Sequence, residues 1–225
     1  MKILVTSGGT REHIDEVRVL TNISTGKLGA QIANTFYLNH NIEKIYYVCS
    51  KGSAIPSVCN LHTLVEDNEK NMVEVIYADS TQDVYDIMER LVPKVDVVIH
   101  SMAISDFGFK PSNIKLKSND PHAFIDSLRD RIVVNPKIIS FIKKWNHTVR
   151  LVGFKFEVNK THEELIDIAY ESLVRNNCDL VVANDKQEMK ENNEHIAYIV
   201  GKGKTSSKCV GKLGIAMNLA TLLLP

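Results

Sequence analysis

Short apolar runs alternate with amphipathic segments along most of the chain. Helical spacing of apolar positions predicts helices at residues 26–38, 80–91, 136–145, 161–176 and 213–223. Runs rich in Val, Ile and Tyr predict β-strands at residues 2–6, 44–48, 72–77, 95–100, 150–153 and 180–183. Continuous apolar character is typical of strands that are covered on both faces. The alternation therefore predicts an α/β fold with a Rossmann-like, doubly wound and mostly parallel sheet.

Two features of the pattern refine this picture. Thr161 followed by Glu164 predicts a capping box at the start of one helix. Near the end of the chain, residues 195–200 and 206–210 flank a Gly/Lys turn and predict an antiparallel hairpin added to the sheet. The length of 225 residues favours a single domain over residues 1–225.

One long segment lacks clear periodicity. Residues 108–131 are polar and contain Pro111, Lys115, Lys117 and Pro121. A loop of this length in a compact domain is typically functional or disordered. The pattern leaves both interpretations of residues 108–131 open.

Composition excludes several classes of protein. Lys+Arg and Asp+Glu both number 27, so no global basic field predicts a nucleic-acid partner. The longest apolar stretch, residues 219–224, is too short for a membrane span, so we expect no membrane partner and a cytoplasmic location. The four cysteines are far apart and form no zinc-type spacing, so we interpret them as reduced, small apolar residues.

Candidate chemistry begins after the first predicted strand. The segment Ser7-Gly8-Gly9-Thr10 has paired glycines, which allow backbone N–H groups to approach a phosphate, although a tight strand-exit turn is the alternative. Residues 18–29 then open a helix, whose N-terminus favours an anion. Neither segment is a G-x-G-x-x-G fingerprint, and Leu28 stands where a P-loop needs Ser or Thr.

Taken together and in order, these motifs resemble phosphopantothenate–cysteine ligase, also called phosphopantothenoylcysteine synthetase. The matching segments are Gly-Gly-Thr-Arg-Glu at 8–12, Val-Arg at 17–18, Asn-x-Ser-x-Gly-Lys-x-Gly at 22–29, and residues 104–107, 115–117, 152–154 and 183–185. The resemblance implies a fold that combines Rossmann-like and ribokinase-like features. It also implies that residues 108–131 form a mobile active-site loop.

The resemblance also implies an activity. Such enzymes join 4′-phosphopantothenate to L-cysteine in coenzyme A biosynthesis, through an acyl-cytidylate or acyl-adenylate intermediate. We therefore expect CTP, in preference to ATP, as co-substrate, Mg²⁺ on its phosphates without direct protein ligands, and a homodimer. Because the first strand begins directly after Met1, we also expect the free-standing bacterial form, with a flavin-dependent decarboxylase as a separate partner.

The family's site residues transfer to matching positions. Asn22 and Lys115 are the expected catalytic residues, although an Asn helix cap and a solvated loop lysine are the structural alternatives. The sequence leaves open whether Arg175 replaces the lysines that meet the triphosphate in relatives. The remaining transfers are nucleotide binding by Gly8, Gly9, Thr10, Ser24, Gly26, Gly29, Asp106, Lys115, Phe154 and Asn184, and phosphopantothenate binding by Arg18, Asn22, Met102, Ala103 and Asp106.

Two other functions fit parts of the pattern. A short-chain NAD(P)-dependent reductase shares the fold rhythm, and Tyr47 with Lys51 formally matches its catalytic pair. However, Tyr47 falls in a predicted strand, and the dinucleotide fingerprint is missing. A non-catalytic nucleotide-binding protein is the other alternative, because a fold can persist after its chemistry is lost.

Overall fold

An eight-stranded sheet forms the centre of the structure, a computed structural model that describes residues 1–60, 72–110, 112, 114–117 and 119–224. The strands are β1 Lys2–Ser7, β2 Arg11–His13, β3 Val19–Thr21, β4 Lys44–Cys49, β5 Val73–Tyr77, β6 Val97–His100, β7 Phe107–Phe109, β8 Ile132–Val134, β9 Arg150–Glu157, β10 Leu180–Asp185, β11 Ile196–Val200 and β12 Ser206–Val210. The sheet order is β12-β11-β10-β9-β6-β1-β4-β5, and β2–β3 and β7–β8 form two small separate sheets. Pairing is parallel from β10 to β5 and antiparallel at β11 and β12, which confirms the predicted sheet and hairpin.

Helices cover both faces of the sheet. They are α1 Lys27–Tyr37, α2 Thr81–Leu91, α3 Pro121–Arg129, α4 Ile139–Trp145, α5 His162–Arg175, α6 Lys186–Glu191 and α7 Gly211–Leu223. Side chains alternate along β1, so Ile3 and Val5 pack with α1 and α7, while Leu4 packs with α2, α4 and α5 on the other face. Two apolar cores result, as expected for a doubly wound sheet.

The predicted strands and helices are present, with different ends. β9 continues to Glu157, four residues beyond the predicted end, so Phe154 lies inside a strand and not at its end. α7 begins at Gly211, two residues earlier than predicted. The capping box of α5 is confirmed, because Thr161 Oγ1 accepts from the Glu164 N–H and the Glu164 carboxylate accepts from the Thr161 N–H.

The prediction of one continuous loop over residues 108–131 is wrong. The segment contains the end of β7 and the nine-residue helix α3. The Asp120 carboxylate caps α3 by accepting from the His122 and Ala123 backbone N–H groups, and Pro121 occupies the first helical turn. This Asp-Pro start signal was present in the sequence. Pro111 lies outside the described residues, and mobility of the segment stays a prediction.

The sheet parts at its C-terminal edge between two central strands. Pairing of β6 with β9 ends at Ile99 and Val152, although β9 continues for five more residues. The chain after β6 instead follows the extension of β1: the Ser101 N–H donates to Thr6 O and the Ala103 N–H donates to Gly8 O. The two central strands therefore separate, and a gap opens between residues 100–106 and the end of β9.

His100 sits at the start of this gap and is buried. Its Nδ1 lies 2.9 Å from Thr6 Oγ1. Burial lowers the pKa of His100 from 6.5 to about 4, because a charged imidazole would lose its hydration there. The folded protein therefore holds His100 in its neutral form.

We predict that His100 makes stability depend on pH. Because its folded pKa is depressed, its contribution is present above pH 6.5 and is lost as the pH falls towards about 4, amounting to about 3 kcal/mol in total. Urea denaturation at a series of pH values between about 4.5 and 7 measures the slope. His100→Asn should flatten that slope relative to the wild-type chain, and an unchanged slope would contradict the assignment.

Candidate active site

A cleft of about 240 Å³ opens at the C-terminal edge of the sheet and is here called the first cleft. The chain runs from β1 to β4 and β5 on one side and then to β6, β9 and β10 on the other, so the cleft lies at the topological switch point. It is lined by Ser7, Gly8, Ile23, Ser24, Thr25, Gly26, Lys27, Leu28, Gly29, Ser101, Ala103, Phe154, Phe156, Asn184, Met189, His195 and Lys212.

The first cleft is electropositive. Helices α1 and α7 both begin there, and neither start has a side chain that caps its free N–H groups. Lys27 and Lys212 add two ammonium groups that form no ion pair with a described residue. Within the described ranges, no Asp or Glu lines this cleft. The arrangement suits a polyanion such as a triphosphate.

The glycines of this region allow backbone segments to pack closely. Gly8 has φ +85°, and a Cβ there would lie 2.0 Å from Ser53 Oγ. A Cβ on Gly29 would lie 2.3 Å from Ser7 Oγ, and one on Gly9 would lie 2.7 Å from Asn22 O. The glycines thus allow the end of β1 and the start of α1 to lie close together. This close packing is compatible with a tight turn and with the approach of a phosphate.

A second cleft of about 150 Å³ lies across the gap in the sheet. Side chains alternate along the extended segment after β6: Ser101 and Ala103 line the first cleft, whereas every second residue from 100 to 106 lines the second. Phe154 lines both clefts. The second cleft is completed by His100, Met102, Ile104, Asp106, Pro136, Lys137, Ile138 and Ile139.

The expected nucleotide residues divide into three groups. Gly8, Ser24, Gly26, Gly29, Phe154 and Asn184 line the first cleft together. Gly9 lines an adjoining groove with Asn22. Thr10 is buried, and its Oγ1 accepts from the Ser105 N–H at 2.9 Å, so this side chain connects loops and lines neither cleft.

Four of the five expected phosphopantothenate residues lie around the gap, namely Asn22, Met102, Ala103 and Asp106. Asn22 Nδ2 donates to Ala103 O at 3.3 Å, which holds the amide at the rim of the first cleft. Met102 and Asp106 line the second cleft, where the Asp106 carboxylate pairs with the Lys137 ammonium. The structure therefore places Asp106 away from the glycine loops, on the other face of the sheet.

Arg18 and Lys115 lie outside both clefts. Arg18 pairs with Asp15 at 2.6 Å and donates to Leu116 O at 3.2 Å. The Asp15 carboxylate accepts from the Leu116 N–H at 3.0 Å, so the segment that carries Lys115 is attached to this pair. The Lys115 side chain is exposed, and the structure does not bring it to the glycine loops.

The structure does not place Arg175 at the first cleft. Arg175 ends α5 and β10 begins at Leu180, whereas the cleft lies near Asn184 at the other end of that strand. A strand rise of about 3.3 Å per residue separates the two ends by about 15 Å. Lys212 of α7 supplies the charge instead, and Gly211-Lys212 before an apolar helix was its signal in the sequence.

His195 is a second residue that the sequence interpretation missed. It lines the first cleft, and its Nε2 is buried without a hydrogen-bond partner among the described residues. Burial lowers the pKa of His195, and the charge of Lys212 lowers it further, against the opposing effect of Glu194. The imidazole is therefore neutral near pH 7 and adds a polar group without charge.

The residues present do not form a magnesium site of their own. Mg²⁺ prefers carboxylate and other oxygen ligands, and among the described residues the first cleft offers no carboxylate. The part of the chain that the structure describes also holds no group of three or more His, Cys, Asp or Glu suited to a metal.

The reductase alternative lacks its catalytic geometry. Tyr47 is fully buried in β4, and its hydroxyl donates to Ala54 O at 2.7 Å. Burial raises the pKa of Tyr47 well above its usual value, which opposes a role in proton transfer. Separately, none of the described helices has the length and apolar character needed to cross a membrane.

Comparison with known proteins gives a consistent family. The model of the DNA/pantothenate metabolism flavoprotein C-terminal domain matches residues 1–224. The coenzyme A biosynthesis bifunctional protein CoaBC of Thermococcus kodakarensis is 35% identical over 184 residues, which cover 81% of this chain and 41% of that protein. The chain thus spans about two fifths of the length of this curated relative.

Solved structures agree with this match. The DNA/pantothenate metabolism flavoprotein from Streptococcus pneumoniae is 31% identical, with a TM-score of 0.79 and coverage of 99% of this chain and 97% of that one. A Cab2 mutant in complex with phosphopantothenate-cysteine has a TM-score of 0.73, covering 98% and 85% of the two chains. Because the identity to the Cab2 mutant is only 16%, this second similarity shows a shared fold alone.

We predict opposite effects for two helical glycines. Gly29→Ala should destabilise the protein by about 1–3 kcal/mol, because the new methyl group overlaps Ser7. Gly214→Ala in α7 is the matched control: its Cβ would meet nothing within 4 Å, so better helix propensity should stabilise by about 1 kcal/mol. Urea denaturation measures both, and equal effects would contradict the close packing at Gly29.

Proposed function

The chain belongs to the family of DNA/pantothenate metabolism flavoprotein C-terminal domains, and we propose that it ligates 4′-phosphopantothenate to L-cysteine in coenzyme A biosynthesis. This proposal rests on the first cleft, which combines the N-terminal ends of α1 and α7 with Lys27 and Lys212 and lies beside the gap in the sheet. Among the described residues, no carboxylate lines it. A relative named for coenzyme A biosynthesis and a fold neighbour bound to phosphopantothenate-cysteine support it.

The reaction has two steps. A carboxylate oxygen of phosphopantothenate attacks the α-phosphorus of a nucleoside triphosphate, the bond to the β-phosphate oxygen breaks, and pyrophosphate leaves with that electron pair. The cysteine amine then attacks the acyl carbon, a C–N bond forms, and the nucleoside monophosphate leaves as the acyl C–O bond breaks. The amine releases its proton to solvent. Positioning and charge stabilisation supply most of the catalysis in such a reaction.

In this proposal the nucleotide occupies the first cleft. Its phosphates lie between the N-terminal ends of α1 and α7, where Lys27 and Lys212 offset the charge that develops on pyrophosphate. Its base packs on Phe154 near Asn184. CTP is favoured over ATP by the family resemblance, and Mg²⁺ would be held by the phosphates, because the first cleft offers it no carboxylate among the described residues.

The acyl group of the intermediate lies at the gap in the sheet. The Asn22 amide, held by Ala103 O, offers a donor and an acceptor at the rim of the first cleft. Ala103 and Met102 lie on opposite sides of the same segment and adjoin the phosphopantothenate chain. Lys115 reaches the acyl phosphate only when its segment moves. Arg18 holds that segment through its hydrogen bond to Leu116 O.

A second copy of the chain would complete the site. Apolar side chains project into solvent on the small sheets beside the gap, including Leu20, Phe107 and Val134, with Val134 80% exposed. Such a patch suits a protein interface. We propose a homodimer that works in the cytoplasm, with a separate flavin-dependent decarboxylase as its functional partner.

The function is tested by incubating the purified chain with Mg²⁺, 4′-phosphopantothenate and cysteine, and with CTP or ATP in parallel. We expect pyrophosphate and the nucleoside monophosphate in equal amounts, with a higher kcat/KM for CTP. The controls omit phosphopantothenate or replace the nucleotide with the diphosphate. Absence of pyrophosphate with both nucleotides would refute the ligase.

We predict that Lys212, and not Arg175, supports nucleotide binding. Lys212→Gln should raise the KM for the nucleotide by about 10-fold or more, because a charge-assisted contact to phosphate is lost. Arg175→Gln is the matched control and should leave this KM unchanged, because Arg175 lies at the far end of β10. Initial rates at varied nucleotide concentration give both values, and the reverse ranking would contradict the site.

We predict that Asn22 acts mainly on the second step. Asn22→Asp should still form the acyl-nucleotide but transfer it to cysteine about 10-fold or more slowly, because the carboxylate repels the phosphate and cannot donate. Rapid quench with and without cysteine separates the two steps. Asn218→Asp, on the exposed side of α7, is the control. Normal transfer in Asn22→Asp would remove Asn22 from the mechanism.

A further inference from the structure

We propose that Glu12 is a positioning residue for the ligase reaction. Through Thr81, its carboxylate fixes residues 103–106, the segment that holds the Asn22 amide. This inference rests on the proposed ligase function and adds the interactions that keep its site in shape. The observation behind it is a chain of hydrogen bonds that begins at the buried carboxylate and ends on the backbone of that segment.

Residues 103–106 depend on loops for their support. Pairing of β6 with β9 ends before this segment, so β9 does not hold it. The Thr10 N–H donates to Ala103 O at 3.1 Å, and the Ser105 N–H donates to Thr10 Oγ1 at 2.9 Å. Asn135 adds two more hydrogen bonds: its Nδ2 donates to Ser105 O at 3.1 Å, and its backbone N–H donates to the next carbonyl at 2.9 Å. Thr10 and Asn135 together therefore hold four backbone groups of the segment.

Thr81 connects these two supports. Its Oγ1 lies 3.4 Å from Thr10 Oγ1 and accepts from Asn135 Nδ2 at 3.1 Å. A hydroxyl has one proton to donate and two lone pairs that accept. Glu12 takes that proton, because its Oε1 accepts from Thr81 Oγ1 at 2.6 Å. The lone pairs of Thr81 are thereby left for Thr10 and Asn135, so the carboxylate sets the direction of the whole chain of hydrogen bonds.

The Glu12 carboxylate is itself fixed in place. The residue is 6% exposed, and Oε1 also accepts from the Thr81 backbone N–H at 3.0 Å, at the start of α2, where the helix dipole favours a negative charge. Gly108 of β7 packs against the cluster, because a Cβ there would lie 3.1 Å from Glu12 Oε2 and 2.8 Å from Asn135 Oδ1. A carboxylate only accepts, and in a buried site water does not replace a lost hydrogen bond. The cluster therefore favours one arrangement of its protons.

The test follows the two steps of the reaction separately by rapid quench. Glu12→Gln keeps the size of the side chain but introduces an amide that also donates, and Thr81→Val removes the hydroxyl. Each should slow acyl transfer to cysteine by about 10-fold, because a small displacement of the Asn22 amide misaligns the reacting groups. Pyrophosphate release without cysteine should change much less. The double variant should be no slower than either single variant, because both changes break the same chain.

Ser80→Ala is the matched control, since Ser80 caps the same helix through the Asp83 N–H and lies outside the chain of hydrogen bonds. It loosens the start of α2 and should leave acyl transfer at the wild-type rate. Thr81→Ser keeps the hydroxyl and should also retain that rate.

Three results would overturn the positioning role while normal pyrophosphate release kept the ligase intact. They are normal transfer in Glu12→Gln, additive losses in the double variant, and a loss in Ser80→Ala or Thr81→Ser equal to that in Thr81→Val. A wild-type chain that releases no pyrophosphate with CTP or ATP would refute the ligase itself, and the positioning role with it.

Discussion

The candidate site depends on one choice of hydrogen-bond partner at the end of β6. Beyond Ile99 the chain keeps its bonds to the extension of β1, through Ser101 and Ala103, and gives up β9. Because β9 continues paired only with β10, Phe154 lies at a gap and the alternating side chains of residues 100–106 face two different clefts. A fully paired sheet would have closed this edge, so the site exists because two neighbouring strands separate there.

Charge then distinguishes the two sides of the gap. The first cleft combines two helix N-termini with Lys27 and Lys212, and its described lining includes no carboxylate. The second cleft carries one carboxylate and one ammonium at a mostly apolar surface. The first cleft therefore favours a polyanion, whereas the second cleft, with its paired opposite charges, does not.

Much of the fold could be predicted from the sequence, because buried parallel strands and capped helices leave strong periodic signals. The glycine loops and Phe154 could also be placed on one edge, since parallel strands end together. Lys212 and His195 could not, because their proximity to the cleft depends on how the C-terminal hairpin returns α7 beside α1. The position of Arg175 stayed open for a related reason: a motif match gives order along the chain, but not the end of a helix that faces the site.

The central claim is that the nucleotide binds between the starts of α1 and α7, on one face of the parted sheet. A crystal structure of the protein with a nucleoside triphosphate tests this most directly. We expect the phosphates within hydrogen-bonding distance of the backbone at Gly8 and of the Lys27 and Lys212 ammonium groups, with the base against Phe154. Phosphates bound at the second cleft, beside Asp106 and Lys137, would contradict it.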